Sequence, residues 1–481
     1  MQSNESLPPA RKRFAGLRQG AMIVLVAAAA AVLVIEVYPQ VRQLLGLPAP
    51  NMDAVETSAA ASTSSSGFAE SNLRKSDLAV VPSLAPLGAV APVTTAALTN
   101  PRQPLGPAVR GVTENQILFG MSSPFSGAIK ETGLKMKLGI ETAFNVVNDA
   151  GGVYGRQLKL VALDDGYEPA RTVETMKQLY EKEQVFGIIG NVGTPTAAVA
   201  VPYALDRRML FFGAFTGSEV IRRDPPDRYV FNYRVSYAEE TDAVVRYLVK
   251  VRQLRPDQIA VFAQQDSFGD SGFAGVSKAM RALRGGDGGT ILRLNYKRNT
   301  VDVDEAVARL RTSRTSIKAV VMVATYRAAA KFIEKTRALN PALIYTDVSG
   351  VGSTALADEL MLLGPAYAEG IIVTQAVPAV SNSSSTVLDY KTALSKYFPS
   401  EAPDYVSLEG YVTANIMVEA LKRAGPQLDT ERLVQTLESI HDLDLGLGTP
   451  ISFGRSEHQA SHKVWGTQLD AAGHYQPIDL Q

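Results

Sequence analysis

The chain has no cysteine, which excludes disulfides, thiolate metal sites, a cysteine nucleophile and a lipid-modified amino-terminal cysteine. If exported, it has to fold on its core alone. Net charge is missing too. The 48 Lys+Arg residues balance 48 Asp+Glu, so no overall basic field exists to hold nucleic acid. Neither a GxxxxGK loop nor a GxGxxG turn after a strand occurs, so nucleotide binding is unsupported and no cofactor is expected. What is present is an ordinary globular balance, 46% hydrophobic and 20% charged, which supports a large core and excludes wholesale disorder. At 481 residues the chain is too long for one small module, and about 150 residues per domain gives a prior of roughly three.

The amino terminus divides into three parts. Residues 1–19 carry the basic cluster Arg11, Lys12, Arg13 and Arg18, and a weakly polar to apolar run from Gly20 to Ile35 follows within 20–38. The run meets Glu36 before reaching the roughly 20 residues that a bilayer crossing needs, which resembles a signal-peptide hydrophobic region. The sequence after it, Glu36-Val37-Tyr38-Pro39-Gln40, offers no small-x-small cleavage site. The segment therefore reads as an uncleaved signal anchor, with a cleaved signal peptide as the alternative, and the rest of the chain is exported. Residues 39–112 are rich in Ala, Ser, Thr and Pro, including Ser62 to Ser66 and prolines at 82, 86, 92, 101, 104 and 107. With no helical or strand period, this stretch reads as a flexible linker.

From Glu114 the texture changes to short β-branched runs alternating with helical periods. Strands are expected at Gln116 to Met121, Leu158 to Leu163, Phe186 to Ile189, Met209 to Phe212 and Phe231 to Val235. Between them, Met136, Ile140, Ala143, Phe144 and Val147 form one helical stripe, and helices are predicted near Ala170 to Lys182 and Ala197 to Leu205. The pattern restarts with strands at Ile259 to Ala263, Thr290 to Leu294, Ala319 to Ala324, Ala342 to Tyr345 and Gly370 to Thr374. Helices are predicted at Glu239 to Val251, Gly272 to Leu283, Val303 to Leu310, Arg327 to Leu339 and Leu408 to Arg423. This is the grammar of an α/β protein with two doubly wound parallel-sheet lobes. The carboxyl-terminal tail is too small for a lobe of its own and has to complete both sheets, so the chain crosses a hinge more than once. Lobe 1 is expected to comprise 113–236 and 377–448, and lobe 2 to comprise 237–376 and 449–481.

Open parallel sheets bind ligands beyond the carboxyl ends of their strands. In the first lobe those positions are small and hydroxylic: Ser122, Ser123 and Ser126; Gly190, Asn191, Gly193, Thr194, Pro195 and Thr196; Gly213, Ala214, Phe215 and Thr216. Thr194 and Thr196 open a helix, where free amides and the helix dipole favour a carboxylate or other small anion; each read singly is a plain helix cap. The second lobe presents Gln265, Asp266, Phe268, Thr325, Tyr326, Asp347 and Ser349, larger groups suited to covering a modest ligand.

Catalytic signals are weak. Gly269-Asp270-Ser271-Gly272 superficially repeats a serine-protease nucleophile segment, but a parallel α/β lobe without a nearby histidine is the wrong context. His458 and His462 are spaced for a shared metal on a helix, yet they lack a clear third ligand and read as surface or strand-end residues. Asp164-Asp165 ends a strand, where helix capping or solvation is the ordinary role.

In order and spacing, several segments together resemble the type I periplasmic binding proteins, in the leucine/isoleucine/valine-binding branch of ABC-transporter solute receptors. They are Ser126-Gly127-Ala128, Asn148 to Arg156, Asp164-Asp165 with Pro169-Ala170, Gly190 to Thr196, Gly213 to Thr216, Asp266 to Gly269, Leu408 to Tyr411 and Phe453-Gly454. The resemblance covers about 114–480. It implies a non-enzymatic receptor on the periplasmic or extracytoplasmic side of the membrane. Its two lobes close on a small ligand about a hinge near Tyr233 to Ala238 and Thr374 to Pro378, and its partners are an ABC permease and ATPase subunits. It further implies that Thr194 or Thr196 holds a ligand carboxylate, that Ala214 supplies a carbonyl and Thr216 a hydroxyl, and that Phe268 covers the ligand with Tyr326 as a second cover. Two positions depart from the family pattern: Thr132 stands where an aromatic is common, and Ser349 stands where an acid pairs with an amino-acid ammonium. Asp347 is two residues away as a substitute. An unpaired buried ammonium is costly, so a carboxylate without an amino group, an amide or an aromatic acid fits better than an α-amino acid. A tethered sensor signalling through a partner protein is the alternative function.

Overall fold

The computed structural model describes residues 109–284 and 290–480, all of them within the compact unit Leu98–Gln481. The expected basic segment, the hydrophobic helix at 20–38 and all but the end of the linker lie outside the described residues. Among the described residues no helix is long and apolar enough to cross a membrane.

Two sheets organise the chain. The first has five strands: β1 (Gln116–Ser123), β2 (Gln157–Asp164), β3 (Gly187–Ile189), β4 (Leu210–Phe212) and β5 (Val230–Phe231), in the order β2-β1-β3-β4-β5. All its pairings are parallel. The second has seven: β6 (Ile259–Gln264), β7 (Arg293–Tyr296), β8 (Ala319–Val323), β9 (Ile344–Asp347), β10 (Ile372–Gln375), β11 (Trp465–Leu469) and β12 (Tyr475–Ile478), ordered β12-β11-β10-β9-β8-β6-β7. Its pairings are parallel except at the end, where β11 runs antiparallel to β10 and to β12. The central strand β8 reads Ala-Val-Val-Met-Val and is buried throughout, as a strand covered on both faces has to be.

Helices α1 (Lys130–Asp149), α2 (Pro169–Glu181) and α3 (Thr194–Asp206) follow the early strands. Then α4 (Tyr237–Arg246), α5 (Ser267–Arg284), α6 (Asp304–Arg311) and α7 (Tyr326–Arg337) serve the second sheet. The sequence pattern does not show α8 (Ser353–Leu363), α9 (Pro365–Ala368), α10 (Ser385–Tyr397) or α12 (Thr430–Glu438). α10 starts inside a serine run that reads as loop, and α8 starts directly after Gly352, whose φ is +80°. The expected strand Phe231 to Val235 ends at Phe231, because the residues after it leave the sheet to cross between lobes.

The chain crosses at 232–236, again at 376–384 and a last time at 461–464. Residues 449–460, expected with the second lobe, instead pack on the first. Phe453 meets Phe231 edge-on at 5.5 Å and His458 stacks on the same ring at 3.8 Å, which fills the end of a sheet whose last strand is only two residues long.

In the first lobe, α1 crosses α11 (Tyr405–Ala424) through two glycines. A Cβ on Gly139 would lie 1.9 Å from the Ser407 carbonyl oxygen, and one on Gly410 would lie 2.5 Å from the Met136 oxygen. Both neighbours are backbone, so only glycine permits the approach. Gly139→Ala is expected to force the helices apart at a cost of about 1–3 kcal/mol. A urea melt checks this, with Gly454→Ala, which meets nothing within 4 Å, as the unaffected control.

Candidate ligand-binding cleft

The carboxyl ends of β1, β3 and β4 face those of β6, β8 and β9 across a small space between the lobes. On the first lobe it is lined by Ile129, Thr132, Tyr167, Val192, Gly193, Thr194 and Phe215. The second lobe contributes Tyr237, Phe268, Thr325 and Gly350. Among these described lining residues there is no Asp or Glu. The free volume within this space is about 10 Å³, roughly room for one water, so in this conformation the side chains of the two lobes nearly fill the cleft.

One corner is hydroxylic. Thr194 opens α3 and its Oγ1 lies 2.7 Å from the Oγ1 of Thr216; both residues are buried. The first turn of α3 adds backbone amides without intrahelical partners. Gly193, with φ +106°, turns the chain into this corner, and a Cβ there would strike the Tyr167 ring at 2.3 Å. The opposite wall is aromatic, with Tyr237 and Phe268 rings 5.3 Å apart.

The structure brings Thr132, Thr194, Phe215 and Phe268 to the wall and sends the other candidates elsewhere. Thr196 donates to the carbonyls of Val192 and Gly193, at 2.6 and 2.9 Å, so its hydroxyl bonds back to the turn that opens its own helix. The Ala214 carbonyl accepts the Thr216 amide at 2.8 Å, and Thr216 sits one layer back, reaching the corner through Thr194. Ser126 is exposed and donates to Asp164 at 2.6 Å. Tyr326 is buried beside Thr325, which is the lining residue. Ser349 lies next to the lining residue Gly350 and is consumed by a charge network.

That network was not visible in the sequence. Arg234, in the first crossing, is fully buried; its guanidinium lies 4.2 Å from the centre of the Phe215 ring and 3.5 Å from Glu409 on α11. Its Nη2 donates to the Ser349 hydroxyl. Ser349 in turn donates to Glu240 through its hydroxyl at 2.9 Å and its amide at 2.7 Å, and Thr374 adds another hydroxyl donor. Burial pushes the Glu409 carboxyl up to about 7 against the pull of Arg234. Asp347, the substitute acid of the sequence reading, is buried and raised well above the carboxylate range by desolvation. Its Oδ1 accepts the amides of Ala324 and Val348. Arg234 stands alone in a run of aromatic and apolar residues, and Glu409 stands in a helix stripe that is otherwise apolar. Those isolated charges were the available signal.

The remaining candidates have structural roles. Asp164 accepts the amides of Phe125 and Gly166 and the Arg171 guanidinium. Asp165 accepts Ser122, Thr172 and the Tyr167 amide, holding the loop that presents Tyr167. His458 is buried on Phe231, and His462 contacts Glu239 at 2.6 Å; no group of metal-ligating residues forms among the described residues. Ser271 lies within α5 and meets Ser218 across the cleft at 2.6 Å.

At the rim the lobes are tied by polar contacts. Gln264 donates to the Tyr167 hydroxyl at 3.1 Å, Asn299 donates to Glu168 at 2.6 Å, and Arg298 bridges Glu168 and Asp266 at 3.1 Å each. Replacing Arg298 and Asn299 together by alanine is expected to loosen closure by about 1 kcal/mol, since partly exposed pairs contribute modestly. The expected outcome is a ligand affinity weakened roughly fivefold and a larger radius of gyration by X-ray scattering.

A model of the periplasmic binding protein family matches residues 116–474. The chain belongs to this family. A structure from Rhodopirellula baltica SH 1, described as a possible leucine/isoleucine/valine-binding protein, is 38% identical, with a TM-score of 0.73 over 76% of this chain and 97% of that one. A Leu/Ile/Val-binding protein homolog 3 from Brucella melitensis biotype 1 is 25% identical over 338 residues, 69% of this chain and 86% of the relative. The fatty acid ABC transporter substrate-binding protein of Thermomonospora curvata shares the fold, with a TM-score of 0.69 at 22% identity over 77% of this chain and 93% of that one. This binding protein is thus an α/β chain of the type I periplasmic binding fold in the leucine/isoleucine/valine-binding branch.

Proposed function

We propose that this chain is the solute-binding component of an ABC importer and that its ligand is a small carboxylate without an ammonium group. The observation that carries the reading is the composition of the cleft: a buried threonine pair at the start of α3 and no acidic residue on the described wall. Hydroxyls and free amides satisfy a carboxylate, whereas a buried ammonium without an acidic partner is costly. Closure of the two lobes then creates the surface that a permease with its ATPase subunits reads. Residues 20–38 hold the protein at the membrane, on the periplasmic side.

A thermal-shift panel tests this, with short carboxylates, amides, aromatic acids and α-amino acids at millimolar concentration. A ligand at about 100 times its Kd adds about 2.7 kcal/mol of stability. The expected result is a shift with a carboxylate that Thr194→Val abolishes and Thr216→Ala weakens. Shifts only with α-amino acids would overturn the ligand class. An unmoved melt throughout would favour a sensor that acts through a protein partner.

A further inference from the structure

We infer that Arg234 is the residue that sets ligand specificity in the cleft, by taking through Ser349 the place that a ligand's ammonium would occupy against Glu240. The inference rests on the carboxylate reading above and supplies its mechanism.

An acid is in fact present beside the cleft. Glu240 lies one helical turn beyond the lining residue Tyr237 on α4, and its partner Ser349 directly precedes the lining residue Gly350. Glu240 is completely buried. Its oxygens, however, are already engaged: Oε1 accepts the Ser349 hydroxyl, and Oε2 accepts the Ser349 amide and the Thr374 hydroxyl. The same Ser349 hydroxyl accepts from Arg234, so one oxygen links a guanidinium to a carboxylate. The positive charge that balances Glu240 is built into the chain.

The arginine also acts on its own account. It is packed against Phe215, which also lines the cleft, and its Nε and Nη1 have no hydrogen-bond partner among the described residues. In a low-dielectric interior this cation repels an ammonium placed beyond Phe215 and favours an anion there. Glu409 at 3.5 Å lies on the lobe-1 side and offsets part of the charge without reaching the cleft wall.

The test compares ligands that share a carbon skeleton and differ only in the ammonium: propanoate with L-alanine, and 4-methylpentanoate with L-leucine. Calorimetric titration of the full chain is expected to show each carboxylate bound at least about tenfold more tightly than its amino acid. In Arg234→Met/Glu409→Met, which removes the buried pair together, that preference is expected to fall at least about tenfold, because Glu240 becomes the unbalanced charge. Adding Glu240→Gln to the pair should cancel whatever affinity for the amino acid was gained. Ser349→Ala, a smaller change, is expected to move the preference in the same direction. An unchanged ratio in both variants, each shown folded by its melt, overturns this inference and leaves the carboxylate reading standing. A wild-type chain that prefers the amino acids, or binds none of the four, overturns both.

Discussion

Above about pH 8, where Glu409 is ionised, Arg234→Met is expected to destabilise the protein by about 3–5 kcal/mol, the usual cost of removing one partner from a buried charge pair. The loss comes from what remains. Glu240 keeps its hydroxyl and amide donors but loses its counter-charge, and Glu409 is left facing a thioether in a fully buried site. Arg234→Met/Glu409→Met should recover about 1–3 kcal/mol of this, since it removes the second charge along with its desolvation cost, and residues in direct contact couple on that scale. Four urea melts, of wild type, both single variants and the double variant, give the coupling energy directly. Additive losses would mean that the two groups do not interact.

The second large effect concerns pH. Burial raises Glu409 from its ordinary 4.5 to about 7, and Asp165 from 3.8 to about 6. At intermediate pH the folded chain therefore holds protons that the unfolded chain releases, so stability is fullest below the unfolded values and declines as pH rises toward 7. For Glu409 the change is on the order of 3 kcal/mol across that window. His462, raised by its hydrogen bond to Glu239, works in the same direction, though it is half exposed and contributes less. Glu239 opposes them at lower pH. Although burial disfavours its charge, hydrogen bonds from His462 and Ser236 hold it down to about 2, so its contribution is lost only as pH falls from 4.5 through 2. The melting temperature is expected to drop between pH 5 and 7, and Glu409→Gln, permanently neutral, should flatten that drop. A melting temperature that rises through the same range would contradict the assignment.

Much of the architecture was legible because apolar periodicity is a local property. The buried run of β8 and the stripe from Met136 to Val147 on α1 declare themselves within a few residues. So did Thr194, Phe215 and Phe268, since small or aromatic residues just after a strand end up at the mouth of a parallel sheet. Thr196 and Ala214 follow the same rule yet turn to partners within their own loops, and Ser126 turns to Asp164 at the end of the neighbouring strand β2. The Arg234, Ser349, Glu240 and Glu409 set could not be read in advance. Its members come from a crossing, a strand end and two helices far apart in sequence, and only the way the chain passes between lobes brings them together. α10 and α12 were missed for a simpler reason: each is preceded by polar residues that read as loop.

Because the chain passes between the lobes at 232–236, 376–384 and 461–464, neither lobe is a continuous piece of polypeptide. No single cut yields one lobe intact, and removal of residues 461–480 would strip β11 and β12 from the second sheet, leaving β10 as a bare edge. The two halves are therefore bound into one cooperative folding unit, in which loss of order on one side withdraws strands or helices from the other.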